Sequence, residues 1–374
     1  MKNAYTITLL CLLICTSFLS SQNLAVYVSD AANFNSGPYQ IAKFDESGTY
    51  EGALIRVEDG LVWPQDIIFL DSEEAVLISN LGAAGIISKH NWSSGDLIEN
   101  FAEGLGGPTR MKIGPDGLLY VLQWSNTNNK VLRYNLNGTF VDEFTSVGVA
   151  QSIGIDWDSN GDLYVSSYGG SSIRKFDGTT GDDLGLFISS GIQGPTNIWF
   201  EADGSLIVLN YNSGIVKRFD DTGTFIEDLV TGVNGCEGFD FFPNGDILIG
   251  VGSDGSVRRY DSNFNFIENF VDPGILLTPN AIVIRDDIPL SVPEKKINTV
   301  FVTPTIGNEF VINNSATQDY EALAIYNATG EFIEHIDLKE TTLWNASKYA
   351  EGIYFIVATE GNIKATQKIM IKKK

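Results

Sequence analysis

The chain has 374 residues, 43% of them hydrophobic and 19% charged, with a formal net charge of −23. Such a composition excludes a disordered chain. So acidic a balance argues against a nucleic-acid partner and disfavours anionic lipid, both of which need a positive surface.

Residues 1–21 read as a secretory signal peptide. Lys2 supplies the positive start, Tyr5 to Leu19 is nearly uninterrupted apolar sequence, and Ser20-Ser21 offers a small-residue cleavage site before Gln22. The alternative, a transmembrane anchor, would need a span of about 20 apolar residues and a positive flank after it. A lipoprotein would use Cys15, but bulky Ile14 precedes it. No membrane span is expected in the mature chain. Cys11 and Cys15 leave with the signal, so Cys236 is the sole mature cysteine and no internal disulfide is possible. It is expected to be a small buried hydrophobe.

From there the chain repeats one unit. A basic residue, an aromatic and an Asp or Asn recur at Lys43-Phe44-Asp45, Arg133-Tyr134-Asn135, Lys175-Phe176-Asp177, Arg218-Phe219-Asp220 and Arg259-Tyr260-Asp261. Lys89-His90-Asn91 holds the same register with His for the aromatic. The central residues are 41 to 46 apart, a blade period. Before each triplet lies a short β run, from Val26-Tyr27-Val28 to Ile247-Leu248-Ile249. Four of these runs follow a turn pair, Asp116-Gly117, Asn160-Gly161, Asp203-Gly204 or Asn244-Gly245, suited to hairpins because Gly and Asn accept positive φ. A further strand precedes each turn, and another follows each triplet.

Each unit therefore reads as four antiparallel strands, a to d. The first unit lacks strand a, and an a-type segment, Pro279 to Ile284, follows the sixth. The expected fold is all-β: a six-bladed β-propeller of four-stranded blades over residues 22–287, closed by a C-terminal strand added to blade one. Closing a ring with both ends of the chain hides sheet edges. An open solenoid of similar period would need capping units instead. The strand-c aromatics, and His90 with them, are expected to pack between blades.

Units such as Gly194 to Val230 (GPTNIWFEADGSLIVLNYNSGIVKRFDDTGTFIEDLV) resemble the NHL-repeat and gluconolactonase-like propellers, a group that includes the virginiamycin B lyase-like proteins. The resemblance speaks for architecture more than for activity, because the fold hosts enzymes and binding modules alike.

Residues 288–297 form a polar, Pro-bearing linker, after which the repeat stops. Residues 298–374 hold nine acids against seven lysines, so nearly all the negative charge belongs to the repeats. Ile325-Tyr326-Asn327-Ala328-Thr329-Gly330, Tyr349 to Phe355 and Lys368-Ile369-Met370-Ile371-Lys372 resemble the type A C-terminal sorting domain of the type IX secretion system of Bacteroidetes. Thr303-Pro304-Thr305 stands where that family usually opens on Pro-Asn-Pro. The resemblance implies a small β-sandwich, type IX machinery as a partner, and a secreted or cell-surface protein. A carbohydrate- or protein-binding sandwich is the other reading of this segment.

At the propeller mouth, the entries to strands a would present Gln65, Asp66, Arg110, Asn197, Glu237 and Asn280, and the b–c loops Trp124, Tyr168 and Tyr211. One reading is a binding module for an extracellular glycan, peptide or small molecule, since Trp and Tyr combine an apolar face with a hydrogen-bonding edge. The other comes from the resemblance. Gluconolactonase-like enzymes are metal-dependent hydrolases, and Asn197 and Glu237 lie in segments similar to that family's cation-binding ones. Calcium would take several such oxygens, with Asp66 and Asn280 adding theirs and Arg110 opposing the cation. A lyase would need a base of near-neutral pKa, and no His falls at the mouth.

Overall fold

The computed structural model describes residues 24–34, 36–82, 84–287, 300–313, 322–338, 341–360 and 363–373. The expected export signal, 1–21, and linker, 288–297, lie outside them. The chain divides after Ile288 into two compact units.

Among the described residues, the first unit is built of six four-stranded antiparallel sheets. Sheet one contains three strands from the start of the chain and one from its end. Pro279–Asp286 pairs with Leu24–Asp30, setting Val26 opposite Ile284 and Val28 opposite Ile282. Every other sheet uses four consecutive strands. The first strand of each lies at one edge: Pro64–Leu70, Pro108–Ile113, Ser152–Trp157, Pro195–Phe200 and Cys236–Phe241 for sheets two to six. These inner strands contact one another in order. Pro279–Asp286 packs on Cys236–Phe241 and on Pro64–Leu70, so the contacts run in a propeller-like cycle.

Burial follows position in the sheet. Second strands such as Leu119–Gln123 and Leu206–Asn210 are buried along their whole length, as strands covered on both faces must be. They therefore read as continuous apolar runs. Outer strands such as Phe225–Thr231 are mostly exposed. The apolar core lies between sheets. Phe44 packs with sheet-six residues Leu248 and Val257, Phe176 with Tyr120 of sheet three, and Phe219 with Tyr164 of sheet four. His90 fills the same slot without exposure, its Nε2 at 2.8 Å from Ser88 Oγ and its Nδ1 at 3.0 Å from the Gly95 carbonyl. Cys236 is buried in the cluster between sheets five and six, where burial pushes its thiol up to about 12.

The basic residue of each triplet has a structural reason. Arg133 pairs with Asp116 on the preceding turn and Asp142 on the outer strand, at 3.0 and 2.6 Å. Arg218 bridges Glu201 and Glu227, and Arg259 bridges Asp246 and Glu268. Lys43, Lys89 and Lys175 also hold two carboxylates each. Partly exposed pairs of this kind contribute little energy; in sheets two, three, five and six they tie the turn before the second strand to the outer strand. The four Asp/Asn-Gly turns carry their glycines at φ between +78° and +88°, where a side chain would be strained.

In the second unit, one sheet contains Val302–Thr303, Glu309–Ile312 and Leu343–Asn345. A five-stranded sheet runs in the order Ile306–Gly307, Ile363–Ile371, Gly352–Glu360, Ala322–Asn327 and Phe332–Asp337. Phe310 and Trp344 of the first sheet share one core cluster with Ile325, Ile356 and Ile369 of the second. Asn327 to Gly330 forms the expected hairpin turn, with Asn327 Oδ1 accepting the Thr329 and Glu331 amides.

Candidate functional site

The inner strands share a local irregularity that positions the candidate residues. Near the start of all six, one extra residue is inserted against the second strand. In sheet three, for example, Pro108 faces Gln123 and Met111 faces Val121, leaving Thr109 and Arg110 against the single residue between. A β-bulge bends its strand and re-aims consecutive side chains. Proline, which lacks the ladder donor, opens four of the six inner strands. Gln65, Arg110, Asn197, Glu237 and Asn280 all sit at these insertions, with Asp66 beside one. The residue in sheet four that corresponds to Arg110 and Asn197 is Gly154, whose added Cβ would lie 2.2 Å from the Thr196 carbonyl oxygen.

Arg110 is the hub. Its Nη1 donates to the Gln65 carbonyl at 2.7 Å and Asp66 Oδ1 at 3.2 Å; its Nη2 donates to Glu237 Oε1 at 3.1 Å and the Asn280 carbonyl at 2.9 Å. One side chain of sheet three thus engages sheets two, six and one. Asp66 Oδ2 also accepts the Met111 amide at 2.6 Å, and Asn197 Nδ2 donates to the Glu237 carbonyl at 2.6 Å. Arg110 is 7%, Glu237 5% and Asn197 5% exposed, so this is an internal knot and not an open rim. Two neighbouring threonines add belts between inner strands, Thr109 Oγ1 to the Ser152 carbonyl and Thr196 Oγ1 to the Cys236 carbonyl.

Two buried carboxyls share one guanidinium, so the knot carries a net negative charge when both ionise. Burial holds the carboxyls of Asp66 and Glu237 above their ordinary range, although Arg110 opposes the rise. Glu237 has fewer donors than Asp66, and its carboxyl is raised to about 7. Because the folded value lies above the unfolded one, the folded chain holds the extra proton between them. The resulting stability is full below the ordinary glutamate range and is lost as pH rises through about 7. The expected result is an unfolding free energy that falls between pH 5 and 7.5, with on the order of 2 kcal/mol of that fall removed by Glu237→Gln. Calorimetry of both proteins at several pH values checks this; equal slopes would defeat it.

The three aromatic candidates are not part of the Arg110 hydrogen-bond set. The amides of Trp124, Tyr168 and Tyr211 donate to the carbonyls of Gly107, Gln151 and Gly194, just ahead of the inner strands. The three side chains form a row across sheets three, four and five, with centroids 5.4 Å apart for Trp124–Tyr168 and 5.8 Å for Tyr168–Tyr211. Each residue is half-buried, and Tyr168 Oη donates to Asn212 Oδ1. Burial, and next the Glu237 carboxylate, push the Tyr211 phenol up to about 12.

Sequence reasoning missed a cavity of about 670 Å³ along the C-terminal halves of the inner strands. Asp66, Arg110 and Asn197 reach it, together with Lys112, Asp156, Trp199, Asp240 and Phe241. Three of its acids tie neighbouring sheets in alternation. Asp66 accepts the Met111 amide, Asp156 the Phe200 amide at 2.8 Å and Asp240 the Ile284 amide at 2.6 Å. A signal was present in the chain for two of them: Asp156 and Asp240 each stand between apolar residues, in Ile155-Asp156-Trp157 and Phe239-Asp240-Phe241.

These features define an all-β protein with propeller-like sheets and a separate small C-terminal β unit. Residues 300–372 match the family model described as the secretion system C-terminal sorting domain. The chain is thus a secreted or outer-surface protein carrying a type IX sorting tail. Among curated proteins none matches the chain. Two solved structures are similar in fold. A chain of the nidogen/laminin complex has a TM-score of 0.56 at 12% identity, covering 70% of this chain and 98% of that one. A protein of unknown function from Bacteroides caccae has a TM-score of 0.55 at 16% identity, covering 71% of this chain and 100% of that one. Among the described residues no helix is long and apolar enough to cross a membrane, and no group of three His, Cys, Asp or Glu is placed to hold a metal. The latter argues against the metal-hydrolase alternative.

Proposed function

We propose that residues 22–287 form a six-bladed β-propeller of the NHL-repeat type that binds an extracellular glycan at its mouth. In this reading residues 1–21 are the export signal, 288–297 a linker, and 298–374 a small sandwich that engages the type IX machinery. The aromatic row Trp124–Tyr168–Tyr211 carries the proposal. It crosses three successive sheets at the entries to the inner strands, each residue half-buried, beside the exposed amide of Asn212. Aromatic faces with hydrogen-bonding edges suit the apolar faces and hydroxyls of sugar rings. Glu237 is held by Arg110 and Asn197 by the Glu237 carbonyl, so neither is proposed as a calcium ligand. Those residues, with Gln65, Asp66 and Asn280, support the mouth from below.

The test is a glycan array on the mature chain, followed by titration calorimetry of any hit. Trp124→Ala and Tyr211→Ala are each expected to weaken binding by about tenfold or more, as for central aromatic contacts, with unchanged circular dichroism. Absence of glycan binding, or binding indifferent to both substitutions, would sink the proposal. Binding to a peptide library in its place would favour the peptide reading.

A further inference from the structure

The aromatic row is one end of a longer apolar arc. In every sheet the residue after the second strand donates its amide to the carbonyl of the residue just ahead of the inner strand. From sheet one to sheet six these residues are Ala31, Leu81, Trp124, Tyr168, Tyr211 and Gly252, equivalent positions at the same end of each sheet. Leu81 continues the row beyond Trp124. A Cβ on Gly107, whose carbonyl holds the Trp124 amide, would lie 2.6 Å from Leu81 Cδ1 and 3.5 Å from Trp124 Cβ. Tyr168 reaches over Gly194 of sheet five in the same way, with its Cε2 3.0 Å from an added Cβ. Beyond Leu81, Val62 lies against Gly82, and Phe34 packs on Trp63 with ring centroids 5.5 Å apart.

The added half of the arc is held under backbone strain. Ahead of the inner strands of sheets three, five and six stands a glycine, at φ +76°, +57° and +74°. The same place in sheet two holds Trp63 at φ +56°, and Phe34 sits at φ +61°. A turn alone is met most easily by glycine, whereas bulky residues avoid this region, and strain of this kind clusters at binding sites. Tyr39 Oη fixes the strained loop by donating to the Phe34 carbonyl. Phe34 is 37% and Val62 49% exposed, with Trp63 and Leu81 half-buried. A contiguous exposed apolar surface marks an interaction site. At the other end of the row, sheet six offers only Gly252 and Gly235 at the equivalent positions, so no side chain closes it.

Resting on the glycan reading above, we propose that the ligand is a polysaccharide chain bound along its length. Sugar units beyond those on Trp124, Tyr168 and Tyr211 lie on Leu81, Val62 and the Phe34–Trp63 pair, and the chain runs out over the glycines of sheet six. A terminal sugar or a trisaccharide would need only the three aromatics and would leave Phe34 and Val62 bare. Nearly all the negative charge of the protein belongs to the repeats, which favours a neutral chain over an acidic one.

The mature chain is titrated by calorimetry with neutral oligosaccharide ladders, dimer to hexamer, of the cello-, laminari-, malto-, manno- and xylo- series. In at least one series the hexamer is expected to bind about tenfold or more tightly than the trimer, a gain beyond the few-fold that extra binding registers on a longer chain supply. Phe34→Gly keeps the loop conformation without its strain and is expected to cut that hexamer-to-trimer ratio to about threefold. Trp124→Ala is expected to weaken both lengths. The ladder on the unmodified protein does not depend on any variant folding. A trimer that binds as tightly as its hexamer, or a ratio that Phe34→Gly leaves intact, would overturn this proposal while the glycan reading stood. Failure of every ladder to bind would also overturn it, and the glycan array alone would then decide the reading beneath it.

Discussion

Arg110→Ala is expected to destabilise the first unit by about 3–5 kcal/mol, because it leaves two buried carboxyls without their shared cation. The substitution removes four hydrogen bonds at once, to Gln65, Asp66, Glu237 and Asn280. Those acceptors belong to sheets two, six and one, so the loss is felt in three sheets besides its own. Arg110→Lys is not a conservative replacement here. A single ammonium cannot reach acceptors on opposite sides with a planar fork, and most of the loss is expected to remain. The charge itself is the cost, and it can be removed together with its partners. The combined variant Arg110→Met, Asp66→Asn, Glu237→Gln is expected to recover most of the stability, as uncharged replacements of buried ion groups commonly do. Urea denaturation of the single and combined variants separates the two effects. If the single variant unfolds within about 1 kcal/mol of the parent, the knot is not a stabilising element.

The second large effect concerns the strand that joins the two ends of the repeat region. A chain ending at Thr278 lacks Pro279–Asp286, while a chain ending at Asp287 retains it. The shorter chain exposes the ladder groups of Leu24–Asp30 that the missing strand pairs. It also loses the Asn280 carbonyl bonded to Arg110 and the Ile284 amide bonded to Asp240. Ala281 and Ile282, 3% and 5% exposed, leave the core as well. An unpaired strand edge is an aggregation template, and a gap in a ring unseats the neighbours on both sides. The shorter chain is expected to lose its cooperative thermal transition and to run as aggregate on size exclusion, while the longer one stays monomeric and cooperative. A transition in the shorter chain within about 5 °C of the longer one, little more than 1–2 kcal/mol for a unit of this size, would show that the strand does not hold the sheets together.

Much of the fold was legible because the repeat reports local rules. The triplet from Lys43 to Asp261 marks third strands because the basic residue must reach two acids and the aromatic must fill the gap between sheets. The same demand returns in every sheet. Even His90 fits, since its ring bonds Ser88 and Gly95 inside the slot that Phe or Tyr fills elsewhere. The displaced strand was legible as well, because Pro279 to Ile284 repeats the pattern of an inner strand where no unit follows it. The candidate site was legible only in part. Gln65, Asp66, Arg110, Asn197, Glu237 and Asn280 do converge, but inward on one another, whereas Trp124, Tyr168 and Tyr211 stand in a separate row.

Period, strand type, the strand added to sheet one and the sorting tail were decided along the chain itself, because spacing of apolar, turn and charged residues acts between near neighbours. Whether a polar residue faces solvent, a cavity or another side chain was decided only in three dimensions. One inserted residue at the start of each inner strand re-aims the side chains there, and no local pattern announces it. Partners as distant in sequence as Arg110 and Asn280 meet only once the sheets have assembled around the centre, and their electrostatics follow from that meeting.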